Sequence, residues 1–186
     1  MSATNRGTAR RPADFYETPA KAVKVLLEHH RLRGPILEPC AGSGAIVRAI
    51  REYYSSRPRL HITAIEIREE ERSTLQQFAE VHIADFRDWA PNRWYRTIIT
   101  NPPYSLAEEV LERALLVADN RTEILLLLRL AFLESRKRRD AWQRWPLQRI
   151  YVLSERPSFT GGGTDATAYG WFLFRKGRRG KGVQVI

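Results

Sequence analysis

Pro35-Ile36-Leu37-Glu38-Pro39-Cys40-Ala41-Gly42-Ser43-Gly44-Ala45-Ile46-Val47 decides the fold. A short apolar run reaches an acidic residue and a proline, passes two glycines and enters a stretch with helical spacing. Residues 35–39 read as a buried strand and residues 45–54 as a helix. The glycines let the backbone turn sharply and approach a ligand with no Cβ in the way. Ligands of doubly wound sheets sit at the carboxyl ends of the strands, where this turn lies. Two phosphate-binding loops do not fit. Val47 holds the place of a third glycine, and Gly-Lys-Ser/Thr is absent.

Downstream, apolar runs alternate with amphipathic segments. Strands are expected at residues 62–67, 81–84, 97–100, 124–128, 150–153 and 168–174, and a polar helix around 70–78. Residues 106–118 carry Leu106, Val110, Leu111, Ala114, Leu115 and Ala118 at the spacing of one helical face. Such alternation implies a mostly parallel sheet covered on both faces. The last two strands are joined by a loop alone, which calls for an antiparallel strand. The expected α/β fold is a Rossmann-like three-layer αβα sandwich, its seven-stranded sheet mostly parallel with one antiparallel strand near the C-terminus. Residues 1–13 read as a flexible basic arm, 14–176 as the folded domain and 177–186 as a basic tail.

The 31 Lys and Arg exceed the 21 Asp and Glu, for a net charge of +10. This says nothing about fold but favours a polyanionic partner, and nucleic acid fits best. The longest apolar stretch, residues 124–128, is too short to cross a bilayer, and residues 1–13 lack the apolar block of a secretory signal. The single cysteine, Cys40, excludes a disulfide within the chain and a cysteine zinc site. A cytoplasmic protein with neither metal nor membrane partner is expected.

Three further motifs stand at expected strand ends. Glu66 lies about 20 residues beyond the glycine loop, where an acid can accept both hydroxyls of a ribose. It can equally be a solvated charge opening the Glu69-Glu70-Glu71 run. Asp85-Phe86 pairs an acceptor for an adenine amino group with a ring to pack on it; a turn cap is the alternative, for which Asp88 is the better candidate. Asn101-Pro102-Pro103-Tyr104 follows the fourth strand. Two prolines stop strand pairing and offer no N–H, leaving carbonyl oxygens as acceptors. The Asn101 side chain and the Pro102 carbonyl can grip an amino group, and Tyr104 offers a face on which a base can stack.

Asp14-Phe15-Tyr16-Glu17-Thr18-Pro19, then the glycine loop, then Asn101-Pro102-Pro103-Tyr104 resemble the N6-adenine DNA methyltransferase family, particularly its small, often phage- or prophage-encoded members. Residues 127–134 and 156–161 look like later family segments, so the resemblance spans residues 14–174. It implies S-adenosylmethionine as cofactor, S-adenosylhomocysteine as product, and double-stranded DNA as partner. By the same resemblance Phe15, Tyr16, Thr18 and Pro19 close over the methionine moiety. Glu38, Cys40, Gly42 and Gly44 line its amino-acid end, Glu66 its ribose, and Asp85 with Phe86 its adenine. Asn101, Pro102, Pro103 and Tyr104 form the catalytic motif, Asn101 also bordering the cofactor, and Phe159 contacts the target base from the opposite side. No separate target-recognition domain is expected.

The chemistry implied is alignment of adenine N6 with an activated methyl group. Hydrogen bonds to Asn101 and Pro102 strengthen as positive charge grows on the nitrogen. A paired base must be flipped out to reach them. Arg136, Lys137 and Arg138, with Arg139 and residues 175–181, are candidate phosphate contacts; a charged helix face and a solubilising tail are the plain alternative. Four readings compete: an RNA adenine-N6 methyltransferase, an N4-cytosine methyltransferase, whose usual first motif residue is Ser rather than Asn, a glutamine methyltransferase acting on release factors, and a catalytically silent nucleic-acid-binding module of the same fold.

Overall fold

The computed structural model describes residues 17–57, 59–159, 166–176 and 182–185. Among them eight strands form one sheet: β1 Ile36–Glu38, β2 Ile62–Glu66, β3 Glu80–Ile83, β4 Thr97–Thr100, β5 Glu123–Arg129, β6 Leu147–Val152, β7 Tyr169–Phe174 and β8 Gly182–Val185. Their order across the sheet is β3-β2-β1-β4-β5-β7-β6-β8. Strands β1 to β5 are parallel, and β7 runs antiparallel to both neighbours. The seven-stranded Rossmann-like core with its reversed strand is as expected. The eighth is an addition: part of the stretch read as a tail pairs parallel with β6.

Strand β5 shows why the sheet needs helices on both faces. Its side chains from Glu123 to Leu128 are all buried. Leu125 and Leu127 join one core with Val23, Leu26, Ile46 and Ile50, while Ile124, Leu126 and Leu128 join another with Val110, Leu111 and Ala114. The period of two sends alternate residues to opposite cores, so an uninterrupted apolar run is what two covered faces demand. The helices that cover them are α1 Ala20–His29, α2 Ala45–Tyr53, α3 Arg72–Leu75, α4 Ala107–Val117 and α5 Arg139–Arg144.

Helices α1 and α5 were not expected from the pattern. Helix α1 buries Ala22, Val23, Leu26 and Leu27, but Pro19 precedes it without a side-chain cap and its other face is Lys, Glu and His. Trp171 Nε1 secures it by donating to the Ala22 carbonyl at 2.9 Å. The polar helix expected around 70–78 is shorter. A 3₁₀ turn at Glu69–Glu71 leads into α3, which buries only Leu75.

At the amino end of the sheet, His30 bridges Tyr151 Oη at 3.0 Å and Glu123 Oε2 at 3.2 Å, and Arg175 pairs with Glu123. Burial, reinforced by Arg175, Arg149 and Arg33, lowers the His30 pKa to about 4. The ring is therefore neutral at pH 7 and links α1 to β5 and β6 without bringing a charge.

The chain winds outward from β1 through β2 to β3, then returns to place β4 on the other side of β1. The carboxyl ends of β1 and β4 thus diverge into a crevice at the switch point. The glycine loop leaves one of these strands and the Asn-Pro-Pro-Tyr loop leaves the other.

Candidate active site

A cavity of about 610 Å³ opens in this crevice. Residues 38–43 line it from the end of β1, 66–68 from β2, 84–87 beyond β3 and 101–106 beyond β4, with Glu17 and Thr18 ahead of α1. Its volume is that of a small-molecule site.

The glycines of the first loop divide their work. Gly42 and Gly44 have φ of 57° and 83°, in the left-handed region that a side chain disfavours. Gly42 lies on the cavity, and its N–H donates to Glu66 Oε2 at 2.7 Å. Gly44 caps α2 on the outer side of the turn, where an added Cβ would meet Leu75 Cδ2 at 2.9 Å. It shapes the loop and does not line the cavity, in contrast to the expectation.

Four carboxylates line the cavity, and beside Glu17 the other three, Glu38, Glu66 and Asp85, sit in three different surroundings. Glu38 is 1% exposed, and burial drives its pKa well above the carboxylate range, a shift only partly offset by the Val47 backbone N–H. Its Oε2 has no hydrogen-bond partner among the described residues. Glu66 is buried too, but it accepts from Gly42 on one oxygen and from Arg68 N and Nε, at 3.0 and 2.8 Å, on the other. Asp85 accepts at Oδ1 from the Arg87 backbone N–H at 2.9 Å, and at Oδ2 from Arg87 Nη2 at 2.6 Å. Arg87 also reaches Glu109 at 2.8 Å. The Arg87 guanidinium holds the Asp85 carboxyl below its ordinary pKa. Asp85, rather than Asp88, is thus the turn-forming residue, and it lines the cavity as well.

Cys40 lines the cavity beside Thr100, and burial pushes its thiol up to about 12. A thiol so protonated is no nucleophile at neutral pH. Asn101, Pro102, Pro103 and Tyr104 all line the cavity; after them the chain turns at Tyr104–Leu106 into α4. The Tyr104 ring packs 5.9 Å from that of Tyr169, and the Arg129 guanidinium lies 4.5 Å from its centroid.

The remaining candidates are placed apart from the cavity. Pro19 lines a second cavity of about 320 Å³ with Val25, Leu153 and Pro157. Phe159 packs on Tyr169 at 4.9 Å, and Tyr169 in turn packs 5.9 Å from Tyr104. Arg136 and Lys137 are exposed in a turn after β5. Arg138 is occupied locally, donating to the Phe132 and Glu134 carbonyls at 3.1 and 3.0 Å. Phe15 and Tyr16 lie outside the described residues, as do 161–165 and the basic positions 178, 179 and 181. Among the described residues no three His, Cys, Asp or Glu side chains gather to hold a metal.

Sequence reasoning missed Arg68 and Arg87. Both belong to one pattern, acid–apolar–arginine, at consecutive strand ends: Glu66-Ile67-Arg68 and Asp85-Phe86-Arg87. In each, the arginine folds back on the acid through its own N–H and its guanidinium, and the apolar residue between them lines the cavity.

No protein-family model matches the chain. A type II methyltransferase of Thermus thermophilus, M.TthHB8I, is 33% identical over 95 residues, which are 50% of this chain and 22% of the relative. The chain thus matches about a fifth of the length of that curated relative. Among solved structures, a type I restriction-modification methyltransferase subunit from Streptococcus thermophilus superposes with a TM-score of 0.68 at 14% identity, covering 88% of this chain and 45% of that one. The 23S rRNA methyltransferase ErmE gives 0.62 at 20% identity, covering 89% and 71%. A putative class I S-adenosylmethionine-dependent methyltransferase from Listeria monocytogenes gives 0.61 at 12%, covering 89% and 65%. The fold is that of the class I S-adenosylmethionine-dependent methyltransferases. Sequence match and fold agree with the motif resemblance to the N6-adenine DNA methyltransferase family.

Proposed function

We propose that this protein transfers a methyl group from S-adenosylmethionine to N6 of adenine in DNA. The observation that carries the reading is one cavity that holds Glu38, Glu66 and Asp85 at successive strand ends together with the whole Asn101–Tyr104 loop. The acceptors suit the cofactor's parts in order. Glu38, buried with an unpartnered oxygen, suits an ammonium group. Glu66, fixed by Gly42 and Arg68, suits ribose hydroxyls. Asp85, beside Phe86 and near Ile67, suits a purine with an exocyclic amine.

When bound, the cofactor supplies a methyl group already activated by the adjacent sulfonium. The chain's own task is alignment and electrostatics. Asn101 and the Pro102 carbonyl accept the amino hydrogens of the target, drawing its nitrogen lone pair out of the ring. These bonds tighten as the nitrogen gains charge, so they favour the transition state over the ground state. The amine becomes acidic only once methylated, and so no strong base is required. Tyr104 stacks the flipped base, offsetting an unstacking cost of a few kcal/mol with about 1–3 kcal/mol. Arg136 and Lys137, exposed beyond the carboxyl end of β5 and on the same side as the cavity, supply phosphate contacts.

The test is transfer of labelled methyl to unmethylated duplex DNA, single-stranded DNA and RNA in parallel, followed by nucleoside analysis. N6-methyladenine in DNA is the expected product. Label in RNA alone, or in no nucleic acid, overturns the reading. Asn101→Ala should abolish transfer while cofactor affinity stays within a few-fold; near-normal turnover would remove Asn101 from the mechanism.

A further inference from the structure

Strands β2, β1, β4 and β5 lie side by side in the sheet, and an exposed arginine precedes each of them. Arg59 stands ahead of β2, Arg33 ahead of β1, Arg96 ahead of β4 and Arg121 ahead of β5. The four strands are parallel, so these arginines share one edge of the sheet, at the ends opposite the cavity. The backbone ties the edge together: Arg96 N donates to the Pro35 carbonyl at 2.8 Å, and Glu123 N to the Arg96 carbonyl at 2.9 Å. Neighbouring strands stand about 4.8 Å apart, so the row runs roughly 15 Å.

None of the four guanidinium groups has a hydrogen-bond or ion-pair partner among the described residues. The acids that open or precede strands at this edge are engaged elsewhere. Glu123 is buried and held by His30 and Arg175, and Glu80 is held by His61, His82 and Arg93. Asp119 feels the charge of Arg96, but its Oδ1 accepts from the Arg121 N–H at 2.7 Å and from Thr122 Oγ1 at 2.9 Å. Like charges set side by side repel one another, and a polyanion laid along them relieves that repulsion.

Trp94 is an independent observation. It stands two residues ahead of Arg96 and is 70% exposed. Between the two, Tyr95 turns inward and donates to Thr63 Oγ1 at 3.1 Å, leaving Trp94 and Arg96 outward on either side of it. The other tryptophans are all used by the fold: Trp171 is fully buried, and Trp89, Trp142 and Trp145 pack on neighbouring rings. An indole left in water beside a row of guanidinium forks offers a stacking face next to phosphate contacts.

We propose that this edge is a second nucleic-acid site. It holds a single strand by phosphates on Arg33, Arg59, Arg96 and Arg121 and by an unpaired base stacked on Trp94. DNA and RNA strands share that chemistry. Strand β5 is seven residues long, about 20 Å, so a strand bound here is a separate stretch from the one whose base enters the cavity. The site does not depend on methyl transfer.

The test compares the full chain with the triple variant Arg33→Gln, Arg96→Gln, Arg121→Gln, and with Trp94→Ala and Trp94→Phe. Anisotropy reads the binding of single-stranded DNA, single-stranded RNA and blunt duplex DNA of equal length over a range of salt. The triple variant's log–log salt slope on a single strand should be shallower by about 2, for three phosphate contacts at about 0.7 each. Trp94→Ala should weaken single-strand binding about ten-fold at an unchanged slope and leave the duplex unaffected, and Trp94→Phe should recover most of the loss. All these side chains are exposed, so every variant should keep the wild-type thermal midpoint.

An unchanged slope in the triple variant overturns the proposal. So does a Trp94→Ala variant that binds single strands as the wild type does, or that loses duplex and single strand equally. Were the row a dock for an acidic protein surface, polyglutamate would bind it while the Trp94 variants left single strands untouched, which overturns the proposal too. Tighter binding of DNA or of RNA, with both variant effects present, supports the site and names its polymer. None of these readings requires turnover, so failure here leaves the proposed methyl transfer standing, and failure of transfer leaves the edge site standing.

Discussion

Glu38 and Asp85 are carboxylates on one cavity, and their surroundings push them in opposite directions. Glu38 ends β1 in the core, 1% exposed, and its pKa is driven up by burial, with the Arg48 charge a lesser influence in the other direction. Asp85 lies past β3 with a side chain 25% exposed, and Arg87 drives its pKa down. Glu66 stands between them, buried like the first and arginine-bound like the second. The nearness of a counter-charge decides which influence wins: desolvation rules where it is weak, and pairing rules where an arginine is hydrogen-bonded directly. An acid at the inner end whose charge is disfavoured by burial gains most from an incoming cation. An ionised one at the rim is already answered.

The sharpest break in this comparison is Glu38→Gln. Glutamine keeps the size and shape of the side chain while removing a charge that burial disfavours, so the fold should be retained. The ligand's ammonium would lose its buried counter-charge, and loss of one partner from such a pair commonly costs 2–5 kcal/mol. S-adenosylmethionine affinity should fall about 100-fold by calorimetry, with the thermal midpoint little changed. A loss of only a few-fold would show that Glu38 does not face the ammonium.

Next comes pH. An acid whose folded pKa is raised binds more protons in the native state, so the free protein loses stability as pH climbs from the ordinary carboxylate range through the raised value. A bound ammonium favours the carboxylate and lowers that value again. Cofactor binding must then release a proton, and affinity should rise with pH by up to about ten-fold per unit between the two values. Asp85 has the opposite sign: its depressed pKa contributes stability above its unfolded value that is lost as pH falls through the folded one. Calorimetry in buffers of differing ionisation enthalpy reads the released proton. Its persistence in Glu38→Gln would assign it elsewhere.

The inner half of this contrast was legible in the sequence, and the outer half only in part. Residues 35–39 and 124–128 read as strands because both of their faces are buried, and an unbroken apolar run needs no tertiary knowledge. Asn101-Pro102-Pro103-Tyr104 read as a site because prolines forbid the alternatives. The arginines did not. Arg68 and Arg87 act by folding back two residues, a side-chain direction that no residue periodicity encodes. Nor did Gly44 differ from Gly42 until the turn set one outward against Leu75. Strand β8 escaped because four residues in a glycine-rich basic stretch carry no pattern of their own and depend on β6 for pairing.

The finest distinction separates the two arginines themselves. Arg68 fixes a carboxylate that is only 7% exposed, and is itself 25% exposed. Arg87 clamps Asp85 from a position 41% exposed, where solvent screens an ion pair and leaves it worth little. At the rim the clamp also occupies both oxygens that the adenine amino group would use. Removing it frees an acceptor more than it disorders one, because the loop retains its backbone N–H bond to Oδ1. Arg87→Ala should therefore tighten cofactor binding by about two- to three-fold, within the range of an exposed pair. Arg68→Ala should weaken it, since its carboxylate is buried and would lose its main fixed charge. If both variants shift affinity in the same direction, the acid–apolar–arginine units at the two strand ends are one device repeated, and depth in the cavity does not set what each arginine does.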